Sequence, residues 1–146
     1  MSARVGPREA TLEDAQRVVR AARTDPVRFT ITGMAPRTKK NSQRIMRKKD
    51  GTPFVAPSQQ ATTWAKQVYL VPRPARLPDR PWNCKALIYR DANRGDAVGY
   101  YQAVADLLEK LGVVSNDRWI VSWDGSRMLK DAARPRIEVE LTEVRA

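Results

Sequence analysis

Asp96 in the stretch NRGDAVGYYQAVADLL heads a helical pattern, Asp117 stands just before RWIVSW, and Asp124 lies within W-D-G-S-R. Carboxylates brought together from separate elements can hold Mg²⁺ through oxygen ligands, neutralise a phosphodiester and supply a nucleophilic water. Each acid also has a plain structural use. Asp96 suits a helix N-cap, where accepting an N–H contributes about 1 kcal/mol. Asp117 suits a polar turn, and Asp124, followed by Gly125, suits the first position of a tight turn. Asp106 follows Asp96 on the same expected helix, roughly 15 Å along the axis and about 80° around it, so the two cannot share one ion. A cluster of Asp96 with Asp117 and Asp124 requires the strands on either side of that helix to be neighbours.

The rest of the composition narrows the chemistry. The 146-residue chain has no histidine, so it cannot build Ser-His-Asp or Cys-His devices, or the commoner zinc sites, from its own residues. Its one cysteine, Cys84, excludes an internal disulfide and reads as packing. A net charge of +11 makes a polyanion the first partner to consider, because clustered cations gain affinity by releasing counterions from phosphates. Acidic membrane surfaces and plain solubility are the alternatives. The positive charge is densest between residues 33 and 57, where Arg37, Lys39, Lys40, Arg44, Arg47, Lys48 and Lys49 are almost unrelieved by acids and are joined by Asn41 and Ser42. This segment is either a solvated basic loop or ribbon, or an arm that contacts phosphates; its density favours the arm.

These residues need elements to position them. Thr11 caps an expected helix over 12–23 with a stripe of Leu12, Ala15, Val18, Val19 and Ala22, ended by Asp25-Pro26. VRFTITG alternates as a strand, and Asp50-Gly51 marks a turn between short strands. Ser58 caps a helix over 59–70, four prolines make 71–81 a loop, and KALIYR (85–90) is a strand. A helix over 97–111 follows, with Val98, Tyr101, Ala105, Leu108 and Leu111 on its apolar face and Gly112 ending it. RWIVSWDGSRML (118–129) reads as one strand with Trp119, Val121 and Trp123 on one side, and RIEVELTEV (136–144) as the last. The length fits one core. No apolar run approaches the roughly 20 residues of a membrane span, and the N-terminus lacks a signal-peptide pattern, so a cytoplasmic location is expected.

Several segments in one order carry a resemblance: G-x-x-P-R-T-K-K-N-S, P-F-V-A-P-S, the Asp-led helix, G-V-V-x-N-D, W-I-V-S-W-D-G-S-R and R-P-R-I-E-V-E. Over about residues 28–143 the chain resembles RusA-like Holliday junction resolvases, particularly their phage-encoded relatives. The resemblance implies a single α+β domain over 27–146, a small mixed β-sheet packed by helices, preceded by an N-terminal extension (1–26) with an extra helix. It implies a homodimeric endonuclease that binds branched DNA, four-way junctions above all, and cuts it with Mg²⁺, or Mn²⁺ in its place, held by aspartates. In the family's Arg-Asp-x-Asp-Asn pattern the first aspartate falls on Asp96, the second on Val98 and the asparagine on Gly99. The helix lysine falls on Gln102, the later helix aspartate on Asp106, and the Asp-Asp pair on Asn116 and Asp117. The exchange at Val98 removes a metal ligand and that at Gln102 removes a cation. Phage-type relatives share the D-G-S-R segment, which makes Asp124, Arg127 and Lys130 the substitutes. The resulting expectation is a metal site of Asp96, Asp117 and Asp124, with DNA held by Arg37, Lys39, Lys40, Asn41, Arg44, Arg127 and Lys130. The competing expectation is a catalytically degenerate protein that binds branched DNA with the same surface.

Overall fold

The computed structural model describes residues 11, 25–38, 44–56, 59–93 and 95–145. The helix expected over 12–23, the N-cap at Ser58, and Lys39, Lys40 and Asn41 lie outside the described residues. The fold is α+β. A six-stranded mixed sheet runs in the order β4 (Tyr69–Val71), β1 (Val27–Thr32), β8 (Arg136–Glu143), β5 (Trp82–Arg90) and β6 (Ile120–Ser122), with β7 (Arg127–Lys130) also paired to β5. Neighbours from β4 to β5 are antiparallel, whereas β6 and β7 run parallel to β5. A parallel return needs a crossover. The helix α2 (Ala97–Lys110) supplies it, while the helix α1 (Gln59–Gln67) leads into β4. The remaining strands, β2 (Arg44–Arg47) and β3 (Pro53–Ala56), form a separate two-stranded ribbon.

Alternation along the strands sets which face is covered. Phe29 and Ile31 on β1, Cys84, Ala86 and Ile88 on β5, and Ile137, Val139 and Leu141 on β8 are buried, together with Trp64 of α1 and Tyr100, Val104, Leu107 and Leu108 of α2. Burial pushes the Cys84 thiol well above its ordinary value, so it stays a neutral packing group, as its sequence context suggests. The opposite sheet face is polar and internally compensated: Arg28 pairs with Glu140 at 2.7 Å, and Arg136 pairs with Glu138 at 2.9 Å while lying over the Tyr89 ring at 3.9 Å. Among the described residues no helix is long and apolar enough to cross a membrane.

Three expectations change. The α2 stripe holds at Ala105 and Leu108, which are buried, and at Tyr101 and Leu111, which pack against the core, but at its start Val98 is 65% exposed and Tyr100 is buried instead. The Tyr100 ring lies so close under Gly95 that a Cβ there would come within 2.7 Å of it. The helix expected to reach residue 70 stops at Gln67, and Tyr69–Val71 becomes an edge strand on β1. The single strand expected over 118–129 is broken into a 3₁₀ turn (Asp117–Trp119), β6 and β7. Gly125, with φ +84°, lets the chain turn between the two strands.

Candidate functional site

The site that the fold builds lies outside the carboxyl ends of β5 and β7, where ligands commonly meet sheets with parallel strands. β5 ends at Arg90, and the loop that follows carries Asp91 and then Asp96 at the head of α2. Asp96 is the N-cap: its backbone is extended (φ −102°, ψ 163°), and its Oδ1 accepts the Gly99 N–H at 2.8 Å. The residue is exposed, so the cap and an outward-facing carboxylate coexist. Gly99 makes that geometry compact, since a Cβ at 99 would stand 2.7 Å from Asp96 Oδ1 and 3.5 Å from the Thr38 side chain.

The root of the basic segment reaches this corner through Arg37. Its guanidinium forms a fork on Asp91, with Nη1 donating to Oδ1 at 3.2 Å and Nη2 to Oδ2 at 3.3 Å, and Nη1 also donates to the Pro36 carbonyl at 3.0 Å. Side-chain exposures of 12% for Arg37 and 27% for Asp91 place the pair where such a fork is sheltered from solvent. Thr38, next along, is buried against the Gly99 turn. Residues 36–38 are thereby clamped to Asp91 and to the first turn of α2. The guanidinium of Arg37, expected on DNA, is held by an internal acid.

The other two expected metal ligands stand elsewhere. The Asp117 N–H donates to Glu109 Oε1 at 2.9 Å, which fixes Asp117 at the far end of α2. Thirteen residues of helix separate Glu109 from Asp96, about 20 Å along the axis, so one ion cannot bridge Asp96 and Asp117 of the same chain. Asp124 is fastened to the second residue of β5: Asn83 Oδ1 accepts its N–H at 2.8 Å, and Asn83 Nδ2 donates to its carbonyl at 3.2 Å. Among the described residues no three acids gather into a group that could hold a metal ion. The expected three-acid cluster is therefore not assembled within the chain. Two helix positions take no part in an acid–lysine pair: Val98 and Gln102 both face outward. Asp106 is half-buried and lines a cavity of about 240 Å³ between α1 and α2, along with Trp64 and Lys110.

Three other residues expected to contact DNA are described. Arg127 and Lys130 are exposed at the two ends of β7, with Lys130 paired in register to Arg90 at the Asp96 end. Arg44 opens β2. The sequence reading overlooked Asp91 and Asp131. The Asp131 N–H donates to the Arg90 carbonyl at 2.9 Å, and its carboxyl is held below the usual range by the Arg136 side chain and then by the Arg134 N–H. Position just past a strand's carboxyl end was the available signal for both. No protein-family model matches the chain, and no curated protein sequence matches it.

Proposed function

We propose that this chain is a Mg²⁺-dependent endodeoxyribonuclease that acts on four-way junctions or other branched DNA, as its resemblance to RusA-like resolvases implies. The single observation that carries the reading is the Arg37–Asp91 clamp, which roots the most basic segment of a +11 chain beside an exposed aspartate. Mg²⁺ commonly binds through one or two carboxylates, retained waters and substrate phosphates, without a protein cage. The chain's residues fit that mode: Asp96 has one oxygen on the cap and a second available to an ion shared with DNA. The ion would neutralise the phosphate and lower the pKa of a water. The chain's own residues anchor the acid, hold Arg37 and Thr38 beside it and put Lys130 on the adjoining strand end. A symmetric pair of chains would set two such corners against opposed strands of a junction. Cellular DNA as substrate agrees with a cytoplasmic location.

The test separates cap from carboxylate. Asn caps a helix as well as Asp, so Asp96→Asn keeps the melting temperature and the junction affinity while cleavage of a labelled four-way junction in Mg²⁺ falls roughly 100-fold or more. Cleavage at the wild-type rate would remove Asp96 from the site. The separation of Asp96 from Asp117 by the length of α2 favours a second reading, a degenerate branched-DNA-binding protein. Tight junction binding with no cutting by the wild-type chain in either Mg²⁺ or Mn²⁺ would select it.

A further inference from the structure

We propose that the β2–β3 ribbon is a wedge that enters an opened base step of branched DNA, with Phe54 and Met46 as the inserted side chains. The inference rests on the DNA-acting reading above, and adds to it a device for distorting the branch. Met46 and Phe54 are direct cross-strand partners, so both side chains leave the same face of the ribbon. They are 41% and 40% exposed. The ribbon pairs with neither edge of the six-stranded sheet, and a two-stranded hairpin alone is marginal in water. An aromatic and a thioether side by side on such an element form an apolar surface that a partner would cover.

Charge decides the partner. Arg47, Lys48 and Lys49 are exposed on the same ribbon, and the one acid of its tip, Asp50, is turned back to accept the Thr52 N–H at 2.8 Å. The tip is ordered by its own bonds: the Lys48 N–H donates to the Thr52 carbonyl at 2.9 Å, the Gly51 N–H to the Lys48 carbonyl at 2.9 Å, and Arg47 Nη1 to the Gly51 carbonyl at 3.0 Å. Three cations around an apolar pair suit a nucleic acid opened at a branch, where cations hold the flanking phosphates and apolar side chains replace lost base stacking. At a junction the base steps next to the crossover are the least costly to open, which gives the wedge a preference for structure over sequence.

The test uses the full chain without divalent metal and a four-way junction carrying 2-aminopurine at the branch. Binding of the wild-type chain should raise the fluorescence, because the probe is quenched while stacked. Phe54→Ala should remove most of the rise and Met46→Ala/Phe54→Ala the remainder, with junction affinity falling roughly 10-fold and the salt dependence unchanged because no cation is removed. Phe54→Trp should retain the rise, which excludes a mere folding defect. Wild-type binding without a fluorescence change, or an undiminished rise in the double variant, would overturn the wedge while leaving the nuclease reading intact. Failure of the wild-type chain to bind any junction would overturn both. Loss of binding to anionic phosphatidylserine vesicles in the double variant, with the junction signal untouched, would assign the apolar pair to a lipid surface instead.

Discussion

At the scale of residues, the proposed site turns on whether one carboxylate can serve two partners. Asp96 gives Oδ1 to the Gly99 N–H, and the absence of a side chain at 99 leaves room for that oxygen to fold over the helix end. Gly99→Ala tests the arrangement. Alanine gains about 1 kcal/mol of helix propensity over glycine, but its Cβ displaces Asp96 Oδ1 and endangers a cap worth about the same. The two effects offset, so the melting temperature should move by no more than roughly 3 °C, whereas junction cleavage should fall with the redirected carboxylate. A cleavage rate equal to wild type would show that the cap geometry does not matter to the chemistry. The cap itself was legible in the sequence, since an acid before a periodic helix is a local signal. The Arg37–Asp91 fork was not, because it joins residues 54 apart and no local pattern marks either as the other's partner.

At the scale of elements, the informative failure is the stretch 118–129. Its alternation of Trp119, Val121 and Trp123 suggested one continuous strand, yet β5 takes β6 at its start and β7 at its end, leaving Cys84 to Ala86 between them. Side chains bridge that gap. Ser126 Oγ accepts the Ala86 N–H at 2.9 Å and donates to the Cys84 carbonyl at 3.1 Å, standing in for a ladder residue. Asn83 closes the other side, its Oδ1 accepting from Ser122 Oγ at 2.7 Å and from the Asp124 N–H. Two residues of the D-G-S-R segment thus have a structural use: Gly125 makes the turn, and Ser126 repairs the sheet. Asn83→Ala removes three hydrogen bonds, one part-buried and two exposed, and at about 1 kcal/mol or less each should destabilise the fold by roughly 2 kcal/mol in denaturant titration. A change below about 0.5 kcal/mol would mean that the break is held by backbone alone. Strands with clear alternation, β1, β5 and β8, were legible because their burial has period two. The edge strand β4 was hidden because three residues are too few to show any period.

At the scale of the whole molecule, the distribution of charge says where the proposed DNA surface should lie. The open sheet face carries cations, but it answers them: Arg28 lies 2.7 Å from Glu140, and Arg136 is gripped by Glu138 and Asp131. Among the described residues, the exposed cations Arg47, Lys48 and Lys49 stand together instead toward the tip of the ribbon. Counterion release converts that difference into a measurable slope, since each phosphate neutralised contributes about 0.9 to the fall of log K with log salt on duplex DNA. Lys48→Ala/Lys49→Ala should therefore flatten the slope for junction binding by roughly 2 and weaken affinity alike on junctions of any sequence. Arg28→Ala should leave the slope unchanged, because Arg28 already has its counter-charge in Glu140. The paired measurement locates the surface whichever way it falls. A slope altered by Arg28→Ala and not by the lysine pair would place DNA on the open sheet face, away from Asp96, and the corner at the head of α2 would then have no substrate within reach.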